Sequence, residues 1–492
     1  MKQRDGFRLL LTGLIVLALA AGCSRDPNVR KQRFFESGNR YFEQGKYREA
    51  TIEYLNAIQI DKAYGDAHYQ LAQSYLQQGI WSMAYQELVR TTDLQPNNLK
   101  AQIDLGNLLL SAREFKQAKD RAQTVLTRDP NNVDAHILMA NADAALENVE
   151  DSLREMQTAI QLAPDQPRTY FNMAVLQLNA KQAAAAEENF LKVISLDPKS
   201  VPGRLALGNF YQQQGRPADA EQRFREAIQM GPKNPVPYGA LAGLLISQGK
   251  RSEAEQLLTE AKQAMPDIPE GYRMLGDLYF AMEDLPRALG EYASLFQQHP
   301  QDERVQKNYV QLLILSSKLD QAAKLIDQLL KNDSKNAESL ILRGQILNAK
   351  GQPDQAVQSL EAALKQDPRS PAAHYSLGLT LISMGNTRRG TGELQEAVRL
   401  RPNMAPAYRA MGALALRQGD MELLRQSAEG FIAAQPLVPE GFLMRATANL
   451  RAGNAKGTEE DLQRLFLSPR KIHAPSPAWA SCGRPKGNIP KP

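Results

Sequence analysis

A proline recurs every 34 residues along this chain, at Pro96, Pro130, Pro164, Pro198, Pro232, Pro266, Pro300, Pro368, Pro402 and Pro436, and the one missing rung is Ser334. Proline has no backbone N–H and its ring clashes with the carbonyl four residues back, so each rung marks a place where a helix stops. Punctuation at one fixed interval describes a stack of like units, which grows without closing a single globular core. The length of 492 residues therefore measures the number of units rather than the number of domains.

With Lys31 as position 1, thirteen units of 34 residues run without insertion to about residue 470. Position 8 is Gly or Ala in twelve of the thirteen, from Gly38 to Ala446, with Val310 the exception. Position 20 is small in most units, as at Ala50, Ala84, Ala118, Ala220 and Gly390. Small residues at one point on each of two helices let the backbones approach, while larger apolar neighbours fill the rest of the contact. In the sixth unit Leu207 and Tyr211 mark one amphipathic helix, Phe224, Ala227 and Ile228 a second, and Gly215 the turn between them. Between units the chain reads Asp-Pro-Asn-Asn at 129–132, Asp-Pro-Lys-Ser at 197–200 and Asp-Pro-Arg-Ser at 367–370. There Asn132, Ser200 and Ser370 are placed to cap the next helix. The absent rung at Ser334, in the same unit as Val310 at the crowded position, marks the ninth unit as the expected change of pitch.

The sixth unit's Leu207, Gly208, Tyr211, Gly215, Ala220, Phe224, Ala227 and Pro232 resemble the tetratricopeptide repeat, and the likeness extends over about nine tenths of the chain. The resemblance implies an all-α, right-handed superhelical solenoid of about thirteen 34-residue helix-turn-helix repeats, whose concave groove is lined by the first helix of each pair and takes protein partners. The segment Glu43-Gln44-Gly45-Lys46-Tyr47-Arg48-Glu49-Ala50 and the following Glu53-Tyr54-Leu55-Asn56-Ala57 resemble the long tetratricopeptide lipoproteins of exopolysaccharide and PEP-CTERM systems.

The first residues give an address. Lys2, Arg4 and Arg8 precede an apolar run from Leu9 to Ala21, too short for the roughly 20 residues that cross a bilayer. The segment 1–22 is a secretory signal. Leu19-Ala20-Ala21-Gly22-Cys23 resembles a bacterial lipobox, with Ala20 where leucine is usual, and implies a lipid on Cys23. A plain secretory signal, leaving Cys23 as a free thiol, is the other reading. By resemblance to Gram-negative lipoproteins, Ser24 after the cysteine implies the periplasmic face of the outer membrane. Residues 23–30 read as a tether, 31–470 as the solenoid, and 471–492, rich in proline and lysine, as a disordered tail. Cys23 and Cys482 are the only cysteines, which leaves no disulfide framework to expect.

Catalysis and metal binding find little support. His68, His136 and His374 all fall at position 4, where the stack rather than a metal sets their spacing. There is no zinc-spaced pair and no glycine-rich phosphate loop, so neither enzyme activity nor a cofactor is expected. Pairs such as Glu187-Glu188 and Glu459-Glu460 read as solvated faces. With 23% charged residues and a net charge of +5 spread along the chain, no nucleic-acid footprint appears.

Position 9, which in the family faces the groove, carries Asn39, Gln73, Asn107, Asn141, Asn209, Gln311 and Gln345, interrupted by Val175, Gly243 and Asp277. Carboxamides both donate and accept, and a ladder of them suits the main chain of an extended partner segment. The alternative is that asparagine is simply common there in the family consensus. Around this ladder the fifth unit is apolar, at Phe171, Val175 and Leu178. The set of Lys, Asn and Arg with which chaperone-binding members clamp a terminal carboxylate is not reproduced. The expected function is a lipid-anchored scaffold of the bacterial cell envelope that organises exopolysaccharide or protein export. A substrate-selecting accessory subunit of an envelope glycosyltransferase or peptidase is the alternative. The stack shows no polar capping helix beyond Leu462, which leaves either a docking end or a stack continued in a longer chain.

Overall fold

The computed structural model describes residues 26–467, all of whose regular structure is α-helical. The signal segment, Cys23 and the expected tail from 471 lie outside the described residues. The chain divides between Gly231 and Pro232 into two compact bodies.

The first body holds six helix pairs, one per repeat: α1 (Pro27–Glu43) and α2 (Tyr47–Ile60), α3 (Gly65–Gln77) and α4 (Trp81–Leu94), α5 (Leu99–Ser111) and α6 (Phe115–Leu126). They continue as α7 (Val133–Ala145) and α8 (Val149–Leu162), α9 (Pro167–Asn179) and α10 (Ala183–Leu196), α11 (Val201–Gln213) and α12 (Pro217–Met230). The second body holds seven: α13 (Pro235–Ser247) and α14 (Arg251–Ala264), α15 (Pro269–Ala281) and α16 (Leu285–Gln298), α17 (Glu303–Leu315) and α18 (Leu319–Asn332). The last four pairs are α19 (Ala337–Ala349) and α20 (Pro353–Gln366), α21 (Pro371–Ser383) and α22 (Thr387–Leu400), α23 (Ala405–Gln418) and α24 (Met421–Ala434), α25 (Pro439–Arg451) and α26 (Ala455–Leu467). Residues 27–30, within the segment read as a tether, form the first turn of α1, where Asp26 accepts from the Asn28 N–H and Pro27 suits the first helical position.

The turn inside each repeat is a Schellman closure. In the first, the Lys46 N–H bonds back to the Tyr41 carbonyl at 2.9 Å, with Gly45 at φ 73° between helices. Eight repeats place glycine at this left-handed position, but Arg113, Glu147, Lys181, Glu283 and Ser317 adopt it with φ between 56° and 66°. A side chain there costs about 1 kcal/mol. Changing these five residues to Gly is expected to stabilise the stack by roughly 0.5 kcal/mol each, after the entropy that glycine adds to the unfolded chain. Thermal unfolding followed by circular dichroism checks it; an unchanged or lowered midpoint in the fivefold variant rejects the assigned strain.

Between repeats, Asn132, Ser200 and Ser370 cap the next helix as expected, accepting from the N–H groups of Ala135, Gly203 and Ala373. The turn at Ser334, the absent rung, is built like its neighbours. Asp333 accepts from the Lys335 N–H at 3.0 Å, as Asp367 does from Arg369 in the next turn, and Asn336 caps α19. The aspartate and the cap shape this turn, so proline is dispensable there. One apolar cluster, from Val310 to Leu381, runs unbroken through the ninth repeat.

Position 8 has a more specific partner than the small residue at position 20. A Cβ on Gly38, Gly208 or Gly276 would lie 2.5, 2.5 and 2.9 Å from the ring of Tyr54, Phe224 or Tyr292, each at position 24 of the same repeat. Backbones meet at position 20 as well: a Cβ on Gly390 would stand 2.8 Å from the Gly378 carbonyl. Where position 24 is only alanine, at Ala122 and Ala428, the next repeat supplies the volume, Leu138 filling the space over Gly106 and Met444 that over Gly412.

Candidate functional site

The outward faces of the first helices are built from positions 2, 5, 9 and 12. Position 9, read from the sequence as one ladder, divides into spent and free groups. In the first body the Tyr54 hydroxyl donates to Asn39 Oδ1 at 2.8 Å, and Gln73 Nε2 donates to Asp104 Oδ2 at 2.7 Å. Asp104 also accepts from the Tyr69 hydroxyl at 2.9 Å, and burial raises its carboxyl above the ordinary range despite these bonds. Asn107 and Asn209 are exposed and Asn141 half-buried, and the side chains of all three are without a hydrogen-bond partner among the described residues. Half-buried Ile103 and Leu110 flank Asn107, and Phe171 and Leu178 flank the exposed Val175. The free carboxamides of repeats three, four and six thus stand on a largely apolar face.

In the second body Gln345 Nε2 donates to Ser376 Oγ at 3.0 Å, which leaves its Oε1 buried without a partner. Asp277 accepts from the Tyr292 hydroxyl, and burial pushes its carboxyl up. Gln311 is half-buried and its side chain unpaired. With Arg304, Lys307, Asn308 and Gln345 it lines a cleft of about 490 Å³ floored by Ile341, Leu342 and Ala372. Lys307 holds the cleft's two helices together through Glu338 at 2.6 Å.

The three position-4 histidines tie repeats together. His68 Nδ1 faces Glu87 Oε2 at 2.5 Å and its Nε2 faces the Lys62 carbonyl at 3.2 Å in the preceding turn. His136 repeats this with Glu155 and the Pro130 carbonyl, and His374 with Glu393 and the Pro368 carbonyl. The glutamate at position 23, nineteen residues on, is the sequence signal that identifies the tie. Glu187, expected on a solvated face, instead accepts from the Tyr211 hydroxyl at 2.9 Å and Arg216 at 3.0 Å in the next repeat. Among the described residues no group of His, Cys, Asp or Glu is arranged to hold a metal ion, and no helix is long and apolar enough to cross a membrane.

Paired helices stacked at a constant interval, with polar groups left free on the first-helix face, define a repeat solenoid of the protein-binding class. The chain belongs to the tetratricopeptide-repeat family: models of that repeat match residues 38–79, 109–173, 167–200, 189–222, 211–278, 279–346 and 344–385. Such proteins are for the most part scaffolds rather than catalysts. No protein of curated function matches the sequence. Among solved structures, yeast Tom70 is 15% identical over 76% of this chain and 93% of its own, with a TM-score of 0.37. Pseudomonas aeruginosa pilF is 22% identical over 43% of this chain and 96% of its own, with a TM-score of 0.34. MamA from Desulfovibrio magneticus RS-1 is 21% identical over 34% of this chain and 96% of its own, with a TM-score of 0.32. At these values the likeness concerns the repeat fold alone.

Proposed function

We propose that the protein is a lipid-anchored scaffold of the bacterial cell envelope that holds extended segments of partner proteins and organises exopolysaccharide or protein export. The observation that carries the binding reading is the set of unpaired carboxamides, Asn107, Asn141 and Asn209, on first helices of one compact body. A carboxamide offers a donor and an acceptor side by side, which matches the main chain of an extended segment whatever its side chains. The apolar residues at positions 5 and 12 supply the desolvated contact around those hydrogen bonds. Gln311 offers the same group in the second body. The lipobox-like Leu19-Ala20-Ala21-Gly22-Cys23 supports anchoring through Cys23, with Ser24 favouring the periplasmic face of the outer membrane. The wording around Tyr47 supports the link to PEP-CTERM and exopolysaccharide systems.

Capture from detergent-solubilised envelope membranes, read by mass spectrometry, tests the role. A fixed set of export components is expected; many transient clients would favour a substrate selector for a glycosyltransferase or peptidase instead. Changing Asn107, Asn141 and Asn209 together to Ala is expected to weaken capture about tenfold or more, at roughly 1 kcal/mol per lost bond, with the fold intact. Undiminished capture would end the carboxamide reading. Cys23→Ser is expected to move the protein out of the membrane fraction, and retention there would overturn the anchor.

A further inference from the structure

We propose that the end face of the first repeat is a second membrane contact, in which Arg30, Arg33 and Arg40 of α1 bind anionic phospholipid headgroups beside the lipid on Cys23. This contact depends on the anchor proposed above and is independent of the carboxamide face in repeats three to six. Positions 3 and 10, seven residues apart, share one face of each first helix. In the other twelve repeats both are buried, and position 3 is never larger than valine. There it meets the preceding second helix: a Cβ on Gly203 would lie 2.9 Å from Val193, one on Gly271 2.4 Å from Met265, and one on Gly441 2.7 Å from Ile432. In the first repeat the same two positions are Arg33 and Arg40, and both are exposed. A guanidinium cannot enter the close contact that glycine or alanine makes at position 3, so this face is not one that a preceding helix pair would cover.

Charge narrows what does cover it. Arg30, exposed one turn before Arg33, joins the pair, and none of the three arginines has an acidic partner among the described residues. Lys31, by contrast, is spent on Asp61 at 2.5 Å. Val29, 47% exposed, lies on the same stripe. Glu36 is exposed there as well, and it accepts from Gln32 at 3.1 Å rather than from an arginine. Between Cys23 and Phe35 the only acid is Asp26, whose carboxylate caps α1. The end of the stripe nearest Cys23 is therefore cationic.

Distance fixes the partner. Pro27 follows Cys23 by four residues, which span at most about 14 Å of chain whatever path they take. Arg33 stands six residues into α1, about 9 Å along its axis. A lipid on Cys23 thus brings the start of α1 to the headgroup layer. Phosphate oxygens are acceptors that a guanidinium binds with two parallel N–H bonds. A lipid and a basic patch together hold a protein to a bilayer more firmly than either alone.

The test uses the protein purified from envelope membranes in detergent and returned to vesicles of phosphatidylcholine, alone or with phosphatidylglycerol. Arginine labelling by phenylglyoxal is read by mass spectrometry, which also reports whether Cys23 carries acyl chains. Labelling of Arg30, Arg33 and Arg40 is expected to slow about fivefold or more when phosphatidylglycerol is present, and to recover in about 0.5 M salt. Exposed Arg417 and Arg451, in the second body, should be labelled at one rate throughout. A lipidated Cys23 with equal labelling in both kinds of vesicle overturns the headgroup contact and leaves the anchor standing. An unlipidated Cys23 overturns both. Slowing that instead tracks protein concentration in detergent, with dimers in sedimentation, would assign the face to a second copy and equally overturn the proposal.

Discussion

The double variant Gly208→Ala/Phe224→Leu is expected to be about as stable as the parent, although each change alone is destabilising. Phe224 is fully buried, and a Cβ on Gly208 would meet its ring at 2.5 Å. Rigid aromatic carbon on that side leaves nothing flexible to yield, so Gly208→Ala costs about 1–3 kcal/mol by overpacking, less the roughly 0.5–1 kcal/mol that alanine gains in a helix. Phe224→Leu costs about 1 kcal/mol for lost volume, and complete truncation by Phe224→Ala about 3–5 kcal/mol. The second and seventh repeats already use the combined solution, pairing Ala72 with buried Leu88 and Ala242 with buried Leu258. In the double variant the alanine methyl occupies the space that the ring vacates, and the helix-propensity gain is kept. Urea unfolding of the four proteins checks this through the coupling energy, expected at about 1–2 kcal/mol in the stabilising direction. Additive losses would mean that the pair does not share its volume.

The legible part of this fold is what a 34-residue period fixes locally. Prolines, caps and small residues repeat in one register, so helix existence, the two-helix repeat and the capping roles of Asn132, Ser200 and Ser370 follow from neighbours within a few positions. The identity of the true partner of position 8 does not follow so directly. It lies sixteen residues away on the second helix, and it alternates in size with position 8, as Gly208 with Phe224 and Ala242 with Leu258 show. At Ser334 the turn keeps its form without the proline. Proline stops a helix, but Asp333 and Asn336 already satisfy the N–H groups that shape the turn.

The candidate face was legible as a row of carboxamides but not as a division into free and occupied ones. In three repeats occupancy follows what the next repeat presents at position 6. Polar residues there capture the preceding position 9: Asp104 takes Gln73, Asn308 contacts Asp277 at 3.5 Å, and Ser376 takes Gln345. Where position 6 is Leu138 or Leu342, the carboxamides of Asn107 and Gln311 stay free. Position 6 alone does not decide the matter, because Asn141 stays free although Asn172 stands at that position in the next repeat. Asn39 departs as well, because the aromatic at position 24 is Tyr54, whose hydroxyl reaches back to it.

Removing the Asp302 carboxylate is expected to destabilise the second body by about 3–5 kcal/mol, because it leaves the buried Arg273 guanidinium with only the exposed and more distant Glu270 carboxylate, 3.8 Å away. Arg273 Nη1 donates to Asp302 at 2.8 Å, the Tyr272 hydroxyl does so at 2.5 Å, and the N–H groups of Arg304 and Val305 do so at 2.8 and 3.1 Å. One side chain thus caps α17 and neutralises the preceding repeat's cation. The His299 ring stacks on Tyr272 with centroids 3.7 Å apart, closing the group from a third side. Burial alone would raise the Asp302 carboxyl, but the Tyr272 hydrogen bond, the backbone donor at Val305 and the Arg273 charge outweigh it and hold it below the ordinary range. Tyr272 moves the opposite way, pushed up to about 12 by burial and then by its bond to that carboxylate. Since the folded value of Asp302 lies below the unfolded value of about 3.9, its contribution is complete above that pH and is lost as the pH falls through the folded value. Asp302→Ala should therefore lower the unfolding midpoint strongly at neutral pH and flatten its fall in acid. Arg273→Met added to that variant should recover part of the loss, because it takes away the stranded charge while keeping the buried volume. A midpoint in Asp302→Ala within experimental scatter of the parent at neutral pH would show that water or another group satisfies Arg273, and that the repeats on either side are held by apolar packing alone.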